Sequence, residues 1–92
     1  AAQTGLSGSV EVGDGVMLGG QVGVRDHVKI GAGASVGAGS AVDWSLEGSE
    51  AYFGRPALPL SMGRRAFLLA SRLPEIWKAI LRLEKRLDEQ ES

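Results

Sequence analysis

No cysteine occurs among the 92 residues, which excludes disulfides and thiolate metal sites as braces for the fold. No apolar run approaches the roughly 18 residues of a membrane-spanning helix. No secretory signal opens the chain, although it starts at Ala1 without an initiator methionine. The net charge is only −1, which argues against a general affinity for nucleic acid. A domain of this size has much surface for its volume, so its core is marginal alone. Oligomerisation is the support that remains.

Residue usage is also uneven. Residues 1–50 contain no proline and hold 12 of the 14 glycines, whereas residues 51–92 hold all three prolines and eight of the ten basic residues. Between Ala51 and Pro74 there is no acidic residue, against four arginines, Arg55, Arg64, Arg65 and Arg72. Such a shift marks a change of architecture near residue 50. The local excess of +4 reads either as a solvated basic helix face or as a dock for an acidic partner.

What the first half does have is a period of six. Leu6, Val12, Leu18, Val24, Ile30, Val36 and Val42 are all aliphatic, and the residues two before them include Val10, Val16, Val22, Val28 and Ala34. A helix would space its apolar residues by three and four, and an ordinary strand would alternate briefly and turn. A period of six suits a short strand followed by a tight corner, with three such units closing a triangular coil. Leu6, Val24 and Val42 then share one interior column, Val12 and Ile30 a second, and Leu18 and Val36 a third. β-Branched residues fit the pleated faces, and glycines fit the corners. The stretch "GAGASVGAG" also resembles a dinucleotide-binding loop, but that fingerprint needs a strand, an opening helix and an acid about 20 positions on, and here the glycines belong to the repeat.

The pattern stops after Val42. The expected fold is therefore all-β, a left-handed parallel β-helix of hexapeptide repeats with about two coils over residues 1–45. A connector follows over residues 46–60, then a C-terminal α-helical tail over residues 61–92. Ser61 is a candidate N-cap for a helix running to about Arg72. Pro74 suits the first turn of a last helix, with Glu75 near its positive end. Leu69, Leu73, Ile76, Ile80, Leu83 and Leu87 are spaced 4, 3, 4, 3 and 4, a heptad seam. It packs either on the chain's own coils or, in the preferred expectation, in a three-helix bundle of a homotrimer.

The stretches "AQTGLSGSVEVGDGVMLGGQ" and "GVRDHVKIGAGASVGAGSAV", followed in order by "YFGRPA" and "PEIWKAILRLEKRLDEQ", resemble the C-terminal part of the UDP-3-O-(3-hydroxyacyl)glucosamine N-acyltransferases of lipid A biosynthesis. The resemblance implies a cytoplasmic, bacterial homotrimer that needs no cofactor. It moves a 3-hydroxyacyl chain from acyl carrier protein to the 2-amino group of a UDP-sugar acceptor, in clefts between neighbouring β-helices. By this resemblance Gly8 matches the glycine whose amide stabilises the oxyanion, and His27 lines the acyl-donor end of the cleft. Arg64, Arg65 and Arg72 fall in the carrier-protein dock. The general base is absent: the family's histidine in that role lies in a coil upstream of residue 1, so this chain alone is expected to be inactive.

Three rivals remain at this stage. A purely structural trimerisation module needs no site. A related hexapeptide-repeat O-acyltransferase would have a longer helical C-terminus. A hexapeptide-repeat carbonic anhydrase would need three histidines for its metal, and His27 is the single histidine here.

Overall fold

The computed structural model describes residues 5–6 and 8–91. Residues 1–4, 7 and 92, which include the start of the expected coil region and the end of the expected tail, lie outside the described residues. Two-residue strands recur every six positions: β1 (Gly5–Leu6), β2 (Glu11–Val12), β3 (Met17–Leu18), β4 (Gly23–Val24), β5 (Lys29–Ile30), β6 (Ser35–Val36) and β7 (Ala41–Val42). β1, β4 and β7 form one parallel sheet, β2 and β5 a second, and β3 and β6 part of a third. Leu6 pairs with Val24 and Val24 with Val42, Val12 with Ile30, and Leu18 with Val36. These are the columns that the hexad period implies, on a three-sided parallel β-helix.

The corners repeat as regularly as the strands. Gly15, Gln21, His27, Gly33 and Gly39 all have positive φ, between 60° and 76°. Glycine takes this conformation freely, and histidine is among the few other residues enriched there.

The coil does not end at residue 45. Leu46 bridges to Ile30 in parallel, and a further strand, β8 (Ala51–Phe53), pairs with β6 so that Tyr52 lies opposite Val36. A third coil therefore stacks on the second, with two residues fewer than the first two. The removed pair lies between Val42 and Leu46, which stand four residues apart instead of six. β9 (Leu58–Pro59) folds back antiparallel on β8. Residues 46–60, expected as a connector, thus carry most of the third coil and its closing hairpin.

Burial follows the stacking. The second coil, bracketed on both sides, buries Val24, Ile30 and Val36 to 4% exposure or less, whereas Leu6 of the first coil remains 54% exposed. Tyr52 ends its column, 6% exposed. Its hydroxyl donates to the Glu47 carbonyl at 3.0 Å and the Glu50 carboxylate at 3.3 Å.

Helix α1 (Leu60–Ala70) starts one residue before the expected Ser61, with Pro59 at the cap position and no side-chain capping bond. It rests on β8 through an edge-to-face contact of Phe53 and Phe67, 5.5 Å between centroids. Gly63 allows this approach, because a Cβ there would overlap the Phe53 carbonyl oxygen. Helix α2 (Leu73–Glu91) follows a two-residue turn, and all its described residues are exposed. It gives the molecule its long dimension, 61 Å against 22 Å in the other two.

Two outcomes follow. Gly63→Ala should destabilise the chain. Ala gains about 1 kcal/mol over Gly from helix propensity, but overpacking against backbone costs about 1–3 kcal/mol, so the thermal midpoint should fall; an unchanged midpoint would mean α1 is not seated on β8. Tyr52 is the single tyrosine, and its pKa is raised above 10.0 by burial and then by the Glu50 charge and hydrogen bond. A raised folded-state pKa contributes stability below the unfolded value and loses it as pH rises through the folded value. Tyrosinate absorbance should therefore titrate above 10.0 in the folded chain, and Tyr52→Phe should lose less stability than the parent on going alkaline.

Candidate functional site

The coil register brings Gly8 and His27 to the same corner, one coil apart. Gly8 and Ser9 form a turn in the first coil, and Asp26 and His27 form the turn stacked on it. The Ser9 backbone N–H donates to the Asp26 carboxylate at 3.1 Å and ties the two turns together. Both turns are exposed. A Cβ on Gly8 would meet nothing within 4 Å, so this chain's own packing does not demand glycine at that corner. His27 takes the left-handed backbone, φ 61°, of the repeating corner position.

The third coil continues the same corner through Asp43, Trp44 and Ser45. Arg25 donates its backbone N–H to Val42 at 2.9 Å, and the Ser45 hydroxyl accepts the Lys29 N–H at 3.0 Å. Trp44 lies between these ties, 48% exposed. It follows Val42 by two residues, as Asp26 follows Val24 and Gly8 follows Leu6, so it holds the same hexad position before the two-residue shortening. The signal that finds it is the eighteen-residue step from Gly8 to Asp26 to Trp44.

The charged groups around the corner are partnered. Arg25 pairs with Asp43 at 3.9 Å, and Lys29 with Glu11 at 3.8 Å. These are exposed pairs of little energetic weight, but they leave the corner close to neutral. Among the described residues no cluster of three or more His, Asp or Glu side chains has the arrangement to hold a metal ion.

The arginines lie elsewhere, on the helical side, and the structure does not gather them on one face. Arg64 and Arg65 are consecutive in α1, so they point about 100° apart, and both are exposed. Arg64 lines a shallow depression with Phe53, Leu60, Phe67 and Leu68. Arg72 sits in the turn before α2 and pairs with Glu75 at 3.4 Å, which offsets part of its charge.

Between the last coil and α1 lies a mostly apolar cleft of about 410 Å³, lined among others by Gly39, Ser40, Phe53, Arg55, Ala66 and Phe67. Ser40, 1% exposed, stands where earlier hexads place Val or Ala, and its hydroxyl accepts the Gly54 N–H at 3.0 Å. Arg55 Nη1 donates to the Gly39 carbonyl at 2.9 Å. These two bonds fix the turn that walls the cleft.

Residues 9–43 match the bacterial transferase hexapeptide family, six repeats. A UDP-3-O-acylglucosamine N-acyltransferase of a Caulobacter species is 50% identical over 72 residues, covering 78% of this chain and 21% of that protein. One from Methylococcus capsulatus is 34% identical over 84 residues, covering 91% of this chain and 24% of that protein. Among solved structures, the acetyltransferase domain of PglB from Neisseria gonorrhoeae is similar with a TM-score of 0.61 and 26% identity, over 62% of this chain and 28% of that one. The chain thus spans about a fifth to a quarter of the length of these curated relatives. With its stacked hexad coils and helical tail, it is similar over most of its length to the C-terminal part of the UDP-3-O-acylglucosamine N-acyltransferases.

Proposed function

We propose that this chain serves the donor side of an N-acyl transfer in lipid A biosynthesis, in the bacterial cytoplasm, as a homotrimer of left-handed coils. The donor is an acyl group on acyl carrier protein, and the acceptor is the 2-amino group of a UDP-3-O-acylglucosamine. The 50% identity over 72 residues to a UDP-3-O-acylglucosamine N-acyltransferase carries this proposal, and the meeting of Gly8 and His27 on one open corner supports it.

In this chemistry the amine attacks the thioester carbonyl, a tetrahedral oxyanion forms, and the C–S bond breaks to release the thiol. An amide donor aimed at the developing charge lowers that barrier. Gly8 is an exposed turn residue without a side chain, and His27 stands one coil above it on the donor side. No residue of this sequence matches the family's general base, a group that typically contributes 10² to 10⁴-fold. Arg64 and Arg65 with the apolar residues around them suit an acidic helical carrier surface, and Arg72 adds a charge shared with Glu75.

A structural trimerisation module is the second reading, favoured by α2. The whole seam from Leu69 through Leu87 is solvent-exposed in the single chain, and an amphipathic helix gains most of its stability by burying that face. Sedimentation equilibrium should give three times the 9.6 kDa chain mass. Ile80→Asp should dissociate the trimer, because it sets three carboxylates in an apolar seam; a monomer or dimer from the parent chain would overturn the assembly.

The functional proposal is tested by binding and turnover together. The parent trimer should bind an acidic acyl carrier protein weakly and lose the complex as salt rises, since exposed pairs are each worth about 0.2–1 kcal/mol. Replacing Arg64, Arg65 and Arg72 with Ser should abolish binding and leave the trimer intact. Single-turnover assay with acyl carrier protein and the UDP-sugar should give only background; turnover that depends on His27 would instead make His27 the base. Undiminished binding by the triple variant, or no binding by the parent, would leave the structural reading.

A further inference from the structure

The seam of α2 is flanked by two unlike edges. Leu73, Ile80 and Leu87 take the a positions of the heptad, and Ile76 and Leu83 the d positions, so the e and g positions lie on either side of them. Trp77, Glu84 and Glu91 stand at e, and Ala79 and Arg86 at g. All five are exposed in the single chain, Trp77 to 60%. One edge is therefore aromatic and acidic, and the other small and basic.

These edge charges are poorly matched within their own helix, where neighbours stand three and four residues apart. One turn before Glu91 are Leu87 and Asp88, neither of them a cation. Arg86 has the like charge of Arg82 four residues before it, uncharged Gln90 four after, and Glu89 three after. Between parallel helices in register, the g residue of one lies beside the e residue of the following heptad in the next. Arg86 then meets Glu91 of the neighbouring copy, and Ala79 leaves room beside Glu84. An antiparallel pair brings like edges together and loses that match. Lys78, Arg82 and Lys85 take the outward c and f positions, so these cations of α2 lie away from both edges.

We propose that the two edges of α2 are a self-recognition surface for further copies of this chain, with the basic edge at Arg86 meeting the acidic edge at Glu91 of the next copy. This rests on the trimer reading above and adds to it the residues that choose the partner and its direction. Each contact joins unlike surfaces, and such contacts end in a ring when their rotation closes. Around a threefold axis every Arg86 and every Glu91 is used. A helix with the same apolar seam and other edge charges would be a poorer partner.

Charge reversal in the 92-residue chain tests this. In sedimentation equilibrium over a dilution series, Arg86→Glu and Glu91→Arg should each weaken trimer association about tenfold, because three exposed attractive contacts become repulsive. The double variant Arg86→Glu/Glu91→Arg should regain most of the loss. Lys85→Glu, an equal change of charge on the outward face, should associate as the parent does. The two single variants mixed and resolved by native mass spectrometry should form mixed trimers in excess of the random share. A parent that forms trimers while both reversals assemble as well as it does, a double variant no better than the singles, a Lys85→Glu chain as weak as Arg86→Glu, or a random distribution in the mixture would each overturn the edge pairing and leave the trimer standing. A parent mass below three times 9.6 kDa would sink the two together.

Discussion

Stacking of one coil on the next is the interaction on which everything else depends. A two-residue strand has no stability of its own, and its backbone groups must find partners one coil away. They do so in a continuous ladder: Gly13 donates to Ile30 at 2.8 Å, Gly31 to Leu46 at 2.9 Å and Gly37 to Tyr52 at 2.9 Å. The ladder sets the register, and the register puts aliphatic residues in columns. In such a solenoid each coil is stabilised by its own packing and by its immediate neighbours. The second coil has neighbours on both sides and is buried. The first has one described neighbour, and its column residues Leu6 and Val12 are exposed.

The same register explains which parts of the site were legible in the sequence. The columns from Leu6 to Val42 are visible because six is a period that neither helix nor ordinary strand produces. The third coil is not, because four residues separate Val42 from Leu46 and a strict count of six lands on Gly48 and Gly54. One shortened corner brings Leu46 and Tyr52 into their columns. Ser40 was hidden for a different reason. A hydroxyl at an interior hexad position reads as a weak apolar match, and only the Gly54 N–H bonded to it shows why a polar group is accommodated. The cap of α1 lies two residues before Ser61: Ser61 has the right chemistry for a cap, but the hairpin with Pro59 decides where the chain can first turn helical.

Gly8 and His27 were named through resemblance, since nothing in their spacing points to chemistry. The structure adds that they share a corner. Nineteen residues apart in sequence, they sit on consecutive coils and are bound through Ser9 and Asp26. The arginines show the converse. Their clustering in sequence suggests one basic surface, yet Arg64 and Arg65 diverge around α1 and Arg72 is occupied with Glu75. Charge counted along a helix overstates charge presented in one direction.

The distribution of exposed apolar surface links assembly to chemistry. Within one chain α1 is anchored on β8 through Phe53, Phe67 and Gly63, while α2 buries none of its described residues. Most helical stability in proteins comes from packing an amphipathic face, so the exposed seam of this 19-residue helix would gain from a cover. In the proposed trimer that requirement and the site requirement meet. Covering α2 fixes the three coil stacks relative to one another at their helical ends, and the corners bearing Gly8, His27 and Trp44 lie on the sides of those stacks. A rigid solenoid transmits that fixed relation along its length, because each coil is hydrogen-bonded to the next at every face. The heptad seam would then hold the separation of facing corners constant, although it contains no residue that touches a ligand.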